Sequence, residues 1–143
     1  MSLCVQLELK NRKVLIVGGG HVALRKTKLF LREGAKVTIV ASDILKELYA
    51  LAQCHKRAFT QDDVLDAFLV VAASNDAEVN GKVRQAAQQA NVLFMNVEAD
   101  SQSDVHAMSY IEDAYYALAF TTKGNSPCYA KQVLESFNAQ LKP

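Results

Sequence analysis

Apolar residues follow two different spacings between residues 10 and 98, one typical of buried strands and the other typical of helices. Val14–Val17 form an unbroken apolar run, as expected of a parallel strand covered on both faces. Four further short runs, rich in β-branched or apolar residues, predict strands at 36–40, 54–59, 67–73 and 92–97. Apolar residues at helical spacing predict helices between these strands, so the segment is expected to be an α/β domain with a doubly wound parallel sheet.

The junction between the first strand and the first helix contains Gly18, Gly19 and Gly20. The first of these supplies a tight turn, and the third lets the backbone come close to a pyrophosphate. Ala23 stands where the last small residue of G-x-G-x-x-G/A allows the helix to pack on the strand. The helix amino terminus also offers free N–H groups and a positive dipole end to an anion. We therefore predict a Rossmann-like dinucleotide site, with a purely structural turn as the alternative.

The residues after the second and fourth strands complete the predicted cofactor site. An acidic residue that holds the ribose hydroxyls is expected at the end of the second strand, where this chain has Val40, Ala41 and Ser42. Ser42 or Asp43 is therefore expected to reach the ribose, and NAD is favoured over NADP because no arginine follows nearby in the sequence. The full predicted set is Gly18, Gly19, Gly20, His21, Val22, Ala23, Ser42, Asp43, Ser74 and Asn75.

The pattern changes after Glu98. Segments 105–111 and 115–121 predict a hairpin, and Ser126 with Pro127 is a typical helix start. The helix that follows has one apolar stripe, made by Ala130, Val133, Leu134, Phe137 and Leu141. We therefore divide the chain into a nucleotide-binding domain, 1–98, and a dimerisation segment, 99–143. A hairpin and one helix cannot bury their own faces, so a C2 homodimer is expected, the alternative being a cover for the sheet edge of the same domain.

Composition narrows the class of protein further. Half of the 143 residues are apolar and the formal net charge is +1, which does not favour nucleic acid as a partner. Cys4, Cys54 and Cys128 are far apart and indicate neither a disulfide framework nor a metal site. No apolar run is long enough for a membrane span and no signal peptide is evident, so a cytoplasmic protein is expected.

Several motifs resemble the precorrin-2 dehydrogenase family, which includes the amino-terminal module of siroheme synthases and members with sirohydrochlorin ferrochelatase activity. The matching strings are V-G-G-G-H-V-A-L-R-K at 17–26, V-T-I-V-A at 37–41, D-A-F-L-V-V-A-A-S-N at 66–75, Asn80, Asn96-Val97, and G-N-S-P-x-x-A-K at 124–131. The resemblance implies an NAD-binding domain joined to a dimerisation segment, and oxidation of precorrin-2 to sirohydrochlorin.

The catalytic residues are where the chain departs from this family. The family's N-V-V-D segment ends in an aspartate that removes protons, and a gapless match puts Ala99 at that position. Asp100 is one candidate for the base, after a shift of one residue. His106 is another, because histidine exchanges protons near neutrality; it occupies the aromatic position of the family's F-I-x-P element.

Three functions remain open at this point. The first is NAD-dependent oxidation of precorrin-2, with doubtful chelatase activity. The second is a degenerate relative that binds nucleotide or tetrapyrrole without turnover, which Ala99 and the missing F-I-x-P element favour. The third is a nucleotide-sensing regulatory domain, which the lack of an acidic residue at the end of the second strand disfavours.

Overall fold

The computed structural model describes residues 2–98, 102–123 and 125–141. Its main sheet has five parallel strands in the order β3-β2-β1-β4-β5. The chain therefore moves outward in one direction from β1 and then restarts beside β1 with β4, which is the predicted doubly wound arrangement and is confirmed. The strands are β1 (Lys13–Val17), β2 (Lys36–Ala41), β3 (Gln53–Lys56), β4 (Leu69–Ala72) and β5 (Leu93–Asn96).

Three helices connect these strands and cover both faces of the sheet. Alternate residues of β1 serve opposite faces: Ile16 packs in one cluster with Phe30, and Leu15 in the other with Val83. Phe30 and Val83 belong to different helices, so a different helix packs on each face of the sheet. The helices are α1 (His21–Arg32), α2 (Lys46–Tyr49) and α3 (Ala77–Gln89).

The connection from β3 to β4 differs from the sequence prediction. The strand expected at 54–59 ends at Lys56, and a 3₁₀ turn follows at Gln61–Val64. Thr60 starts this turn because its side chain accepts from the N–H of Asp63, whose carboxylate accepts from the N–H of Thr60. Such a reciprocal cap favours a turn over continued extension. The helix between β2 and β3, α2, is only four residues long.

The chain returns along the outer edge of β5. The N–H of Asp104 donates to the carbonyl of Phe94 (2.9 Å), and the Asp104 carboxylate accepts from the N–H of Phe94 (3.0 Å). Ser103 Oγ accepts from the N–H of Asn96 (2.8 Å). The N–H and carbonyl of Phe94 and the N–H of Asn96 on this edge strand are thus paired within the same chain.

Contacts divide the chain into two compact units, Met1–Val105 and His106–Pro143. In the second unit, β6 (Ser109–Glu112) and β7 (Ala117–Phe120) form the predicted antiparallel hairpin, with strands shorter than the predicted segments, and α4 (Pro127–Leu141) is the predicted helix. It packs on both strands of the hairpin. Among the described helices, none combines the length and apolar character of a membrane span.

The turn between β1 and α1 is enclosed by backbone from two other loops. A Cβ built on Gly18 would lie 2.4 Å from the carbonyl oxygen of Ala73, and one on Gly19 would lie 2.0 Å from that of Asp43. Gly18 also has φ +137°, a conformation that side chains disfavour. Gly20 differs, because a Cβ there would meet nothing within 4 Å.

Alanine substitutions should separate these glycines by stability. Gly18→Ala and Gly19→Ala should each lower the free energy of unfolding by about 3 kcal/mol, because backbone must move to admit the methyl group. Gly20→Ala should cost about 1 kcal/mol or less, the difference between glycine and alanine at a helix N-cap. Urea unfolding of the three variants measures this order, and equal losses in all three would contradict it.

Candidate functional site

The carboxyl ends of β1, β2 and β4 meet around the glycine turn. The N–H of Gly18 donates to the carbonyl of Val40 at the end of β2 (3.0 Å), and the N–H of Ala73 after β4 donates to the carbonyl of Val17 (2.8 Å). Strand order reverses between β1 and β4, and ligands of open α/β sheets bind at such a point. The structure therefore brings the three predicted parts of the cofactor site to one edge of the sheet.

Gly20 is the exposed residue of the glycine turn at this edge of the sheet. It is the N-cap of α1, and no side chain there accepts a hydrogen bond from the first turn of the helix. The space that a Cβ would occupy is empty for at least 4 Å around it. A twelve-residue helix thus presents uncapped N–H groups and a positive dipole end to an accessible space. This arrangement fits the pyrophosphate of a dinucleotide.

The three residues after Gly20 lie in different environments. His21 is exposed at the first position of α1, whereas Val22 is partly buried against the core of the sheet. Ala23 is fully buried, as expected of the small residue that lets the helix pack on the strand. Of these three side chains, only that of His21 is exposed at the turn.

Two adjacent basic residues, Arg25 and Lys26, lie on α1. Burial lowers the pKa of Lys26, and the neighbouring charge of Arg25 lowers it further. An anion near this pair of cations would offset both effects.

The end of β2 combines two exposed residues with cations from β3. Ser42 and Asp43 are both exposed, and Lys56 Nζ lies 3.9 Å from Asp43 Oδ1. The sequence shows no arginine near Ser42, but parallel pairing of the strands brings Arg57 there, its N–H donating to the carbonyl of Ala41 (3.0 Å). Sequence reasoning missed both cations because they lie fourteen or more positions from Ser42 in the chain.

The Arg57 guanidinium is already paired. It donates to both carboxylate oxygens of Asp63, at 2.9 and 2.6 Å, and to the carbonyl of Ala58. These hydrogen bonds hold the pKa of Asp63 below its ordinary value, with backbone N–H donation from Thr60 adding to the effect. Arg57 therefore stabilises the turn after β3, and its guanidinium is not poised for a 2′-phosphate.

The loop after β4 forms the opposite wall. Ser74 is partly buried and Asn75 is exposed. The backbone nitrogen of Ser74 would lie 2.9 Å from a Cβ on Gly18, so this loop touches the glycine turn directly. Asn80 of α3 hydrogen-bonds the backbone of Ser74, a role that its place in the sequence did not reveal.

The two catalytic candidates remain predictions. Asp100 lies outside the described residues, as does Ala99. His106 is exposed and is the first residue of the second compact unit. Among the described residues, no group of three or more His, Cys, Asp or Glu side chains is arranged to hold a metal ion.

Comparisons with known proteins agree with this geometry. Residues 5–109 match the model of a family of putative NAD(P)-binding domains. The precorrin-2 dehydrogenase of Bacillus subtilis is 30% identical over 140 residues, which cover 94% of this chain and 85% of that protein. The siroheme synthase of Zymomonas mobilis is 34% identical over 139 residues. The aligned segment covers 94% of this chain but only 30% of that protein.

A solved structure gives the same result for the fold. SirC, a precorrin-2 dehydrogenase, superimposes with a TM-score of 0.77 at 30% sequence identity, covering 99% of this chain and 72% of SirC. The match extends over both compact units. On these similarities the chain belongs to the precorrin-2 dehydrogenase family.

Proposed function

We propose that the protein binds NAD⁺ at the glycine turn and oxidises precorrin-2 to sirohydrochlorin. The observation that carries this proposal is the accessible, uncapped amino terminus of α1 at Gly20, placed where the ends of β1, β2 and β4 meet. The substrate in this proposal is inferred from relatives named precorrin-2 dehydrogenase. We also propose that the reaction takes place in the cytoplasm, consistent with three free cysteines.

The chain's own residues position the two reactants. Backbone N–H groups at the start of α1 bind the pyrophosphate, and Ser42 or Asp43 binds the adenosine ribose. When bound, NAD⁺ would supply the hydride acceptor for oxidation of the macrocycle, which also releases a proton. Asp100 or His106 takes this proton. Because Ala99 stands where the family has its aspartate, removal of pyrrole protons for iron insertion should be weak, and so should chelatase activity.

We further propose a homodimer formed through the second unit. Within that unit the hairpin covers Ala130 and Leu134, but Tyr129, Phe137 and Leu141 of α4 are 56%, 55% and 51% exposed. Phe137 and Leu141 form one flank of the helix because they are four residues apart, and Tyr129 lies two turns earlier, about 80° around the helix axis from Phe137. A second copy that presents the same flank would bury this apolar surface from water.

Cofactor binding should respond to Gly20. In Gly20→Ser, the added hydroxyl can cap α1, so stability should be unchanged or higher, while the side chain fills the space near the pyrophosphate. We expect the Kd for NAD⁺ to rise tenfold or more in calorimetry. Gly81→Ser is the matched control, since a Cβ on Gly81 of α3 also meets nothing within 4 Å. Wild-type protein without affinity for millimolar NAD⁺ or NADH would refute the cofactor assignment.

The protein should convert precorrin-2 and NAD⁺ to sirohydrochlorin and NADH. The formation of both products is measured by absorbance. Asp100→Asn should lower kcat by ~10²-fold, the usual size of a general-base contribution. Asp113→Asn, a change of the same type at an exposed position in the hairpin, should leave it unchanged. Normal turnover of Asp100→Asn would assign the proton to another group, with Glu98 and His106 the next to substitute. NAD⁺ binding without NADH formation in the wild type would favour the degenerate binding protein instead.

Association should depend on the exposed flank of α4. Phe137→Glu places a charge within the proposed interface, so sedimentation should change from dimer to monomer at the same protein concentration. Glu135→Gln, an exposed substitution on another face of the same helix, should leave the dimer intact. A wild-type protein that sediments as a monomer at high concentration would show the dimer proposal to be wrong.

A further inference from the structure

Asn80 is a buried polar residue on a helix face that is otherwise apolar. It is 3% exposed, and the other buried residues of α3 are Val83, Ala86 and Ala87. An amide in such surroundings costs free energy unless its donor and acceptor are both satisfied. Packing of α3 on the sheet alone would therefore favour an aliphatic residue at this position.

Both ends of the Asn80 amide bind the backbone of one residue, Ser74. Asn80 Nδ2 donates to the Ser74 carbonyl (2.9 Å), and Asn80 Oδ1 accepts from the Ser74 N–H (3.3 Å). Ser74 Oγ in turn accepts from the N–H of Asp76 (3.0 Å), and the Asp76 carboxylate caps the start of α3. All three polar groups of Ser74 are thus held within the loop between β4 and α3.

The position held in this way is the wall of the glycine turn. The Ser74 nitrogen and the Ala73 carbonyl are the atoms that a side chain on Gly18 would strike, at 2.9 and 2.4 Å. A displacement of Ser74 would therefore move the surface against which Gly18 is placed, two residues before Gly20. Contact runs without a gap from Asn80 through Ser74 to the turn.

We propose that Asn80 is a positioning residue for the dinucleotide: its amide fixes the Ser74 loop so that the glycine turn has the shape that NAD⁺ requires. This inference rests on the proposed function, because it assumes that NAD⁺ binds at the turn. Asn80 acts through Ser74. Its loss should therefore weaken cofactor affinity while leaving the precorrin-2 step intact once NAD⁺ is saturating.

The test compares Asn80→Leu with Val83→Ala. Asn80→Leu keeps the number and branching of the side-chain heavy atoms and removes both hydrogen bonds to Ser74. Asn80→Ser replaces it if the larger leucine prevents folding. Val83→Ala leaves a cavity one turn further along α3 and so controls for a general loss of stability. We expect the Kd and KM for NAD⁺ to rise tenfold or more in the Asn80 variant only, with kcat and the KM for precorrin-2 changing less than twofold.

A second measurement needs no cofactor. Amide hydrogen exchange at residues 73–76 of the unliganded protein should accelerate at least tenfold in Asn80→Leu and stay near the wild-type rate in Val83→Ala. Unchanged NAD⁺ affinity in Asn80→Leu, or an equal loss in both variants, would overturn the inference while the proposed function stands. A wild-type protein that does not bind NAD⁺ would overturn both, whatever the exchange rates.

Discussion

The approach of three backbone segments at the end of β1 is the constraint on which the candidate site depends. Gly18 and Gly19 have no room for a methyl group, because carbonyl oxygens of Ala73 and Asp43 occupy that space. This close packing fixes the path of the chain into α1 and leaves the helix start facing outward at Gly20. The three adjacent glycines therefore differ in role: two allow the close packing of the fold, and the third leaves the start of α1 accessible.

The elements that the sequence predicts well are those determined by neighbouring residues. The apolar run Val14–Val17 is buried on both faces of the sheet, and the glycine turn and Pro127 mark the starts of two helices. The connections that it could not predict depend on strand register and on long-range packing. Arg57 reaches Ala41 only because β3 pairs in parallel with β2, and Asn80 reaches Ser74 only after α3 has folded back on the sheet.

Binding and catalysis differ in how far they can be inferred from such a chain. A pyrophosphate is held mainly by backbone N–H groups, so the required geometry leaves a signature of glycines and strand ends. A proton is removed by one side chain, and its identity can change without altering the fold. The glycine turn therefore matches the family's motif, whereas Ala99 stands at the position where the resemblance implies a proton-removing aspartate.

The return of the chain along β5 also restricts how this sheet can be extended. Open strand edges recruit strands from other molecules, which is a common origin of fibrils and of domain-swapped aggregates. Ser103 and Asp104 already occupy the hydrogen-bonding positions that an incoming strand would need. The opposite edge, β3, is only four residues long and ends in Lys56, features that discourage strand addition. At high protein concentration, both edges of the main sheet therefore disfavour strand addition between molecules, even if the protein associates through another surface.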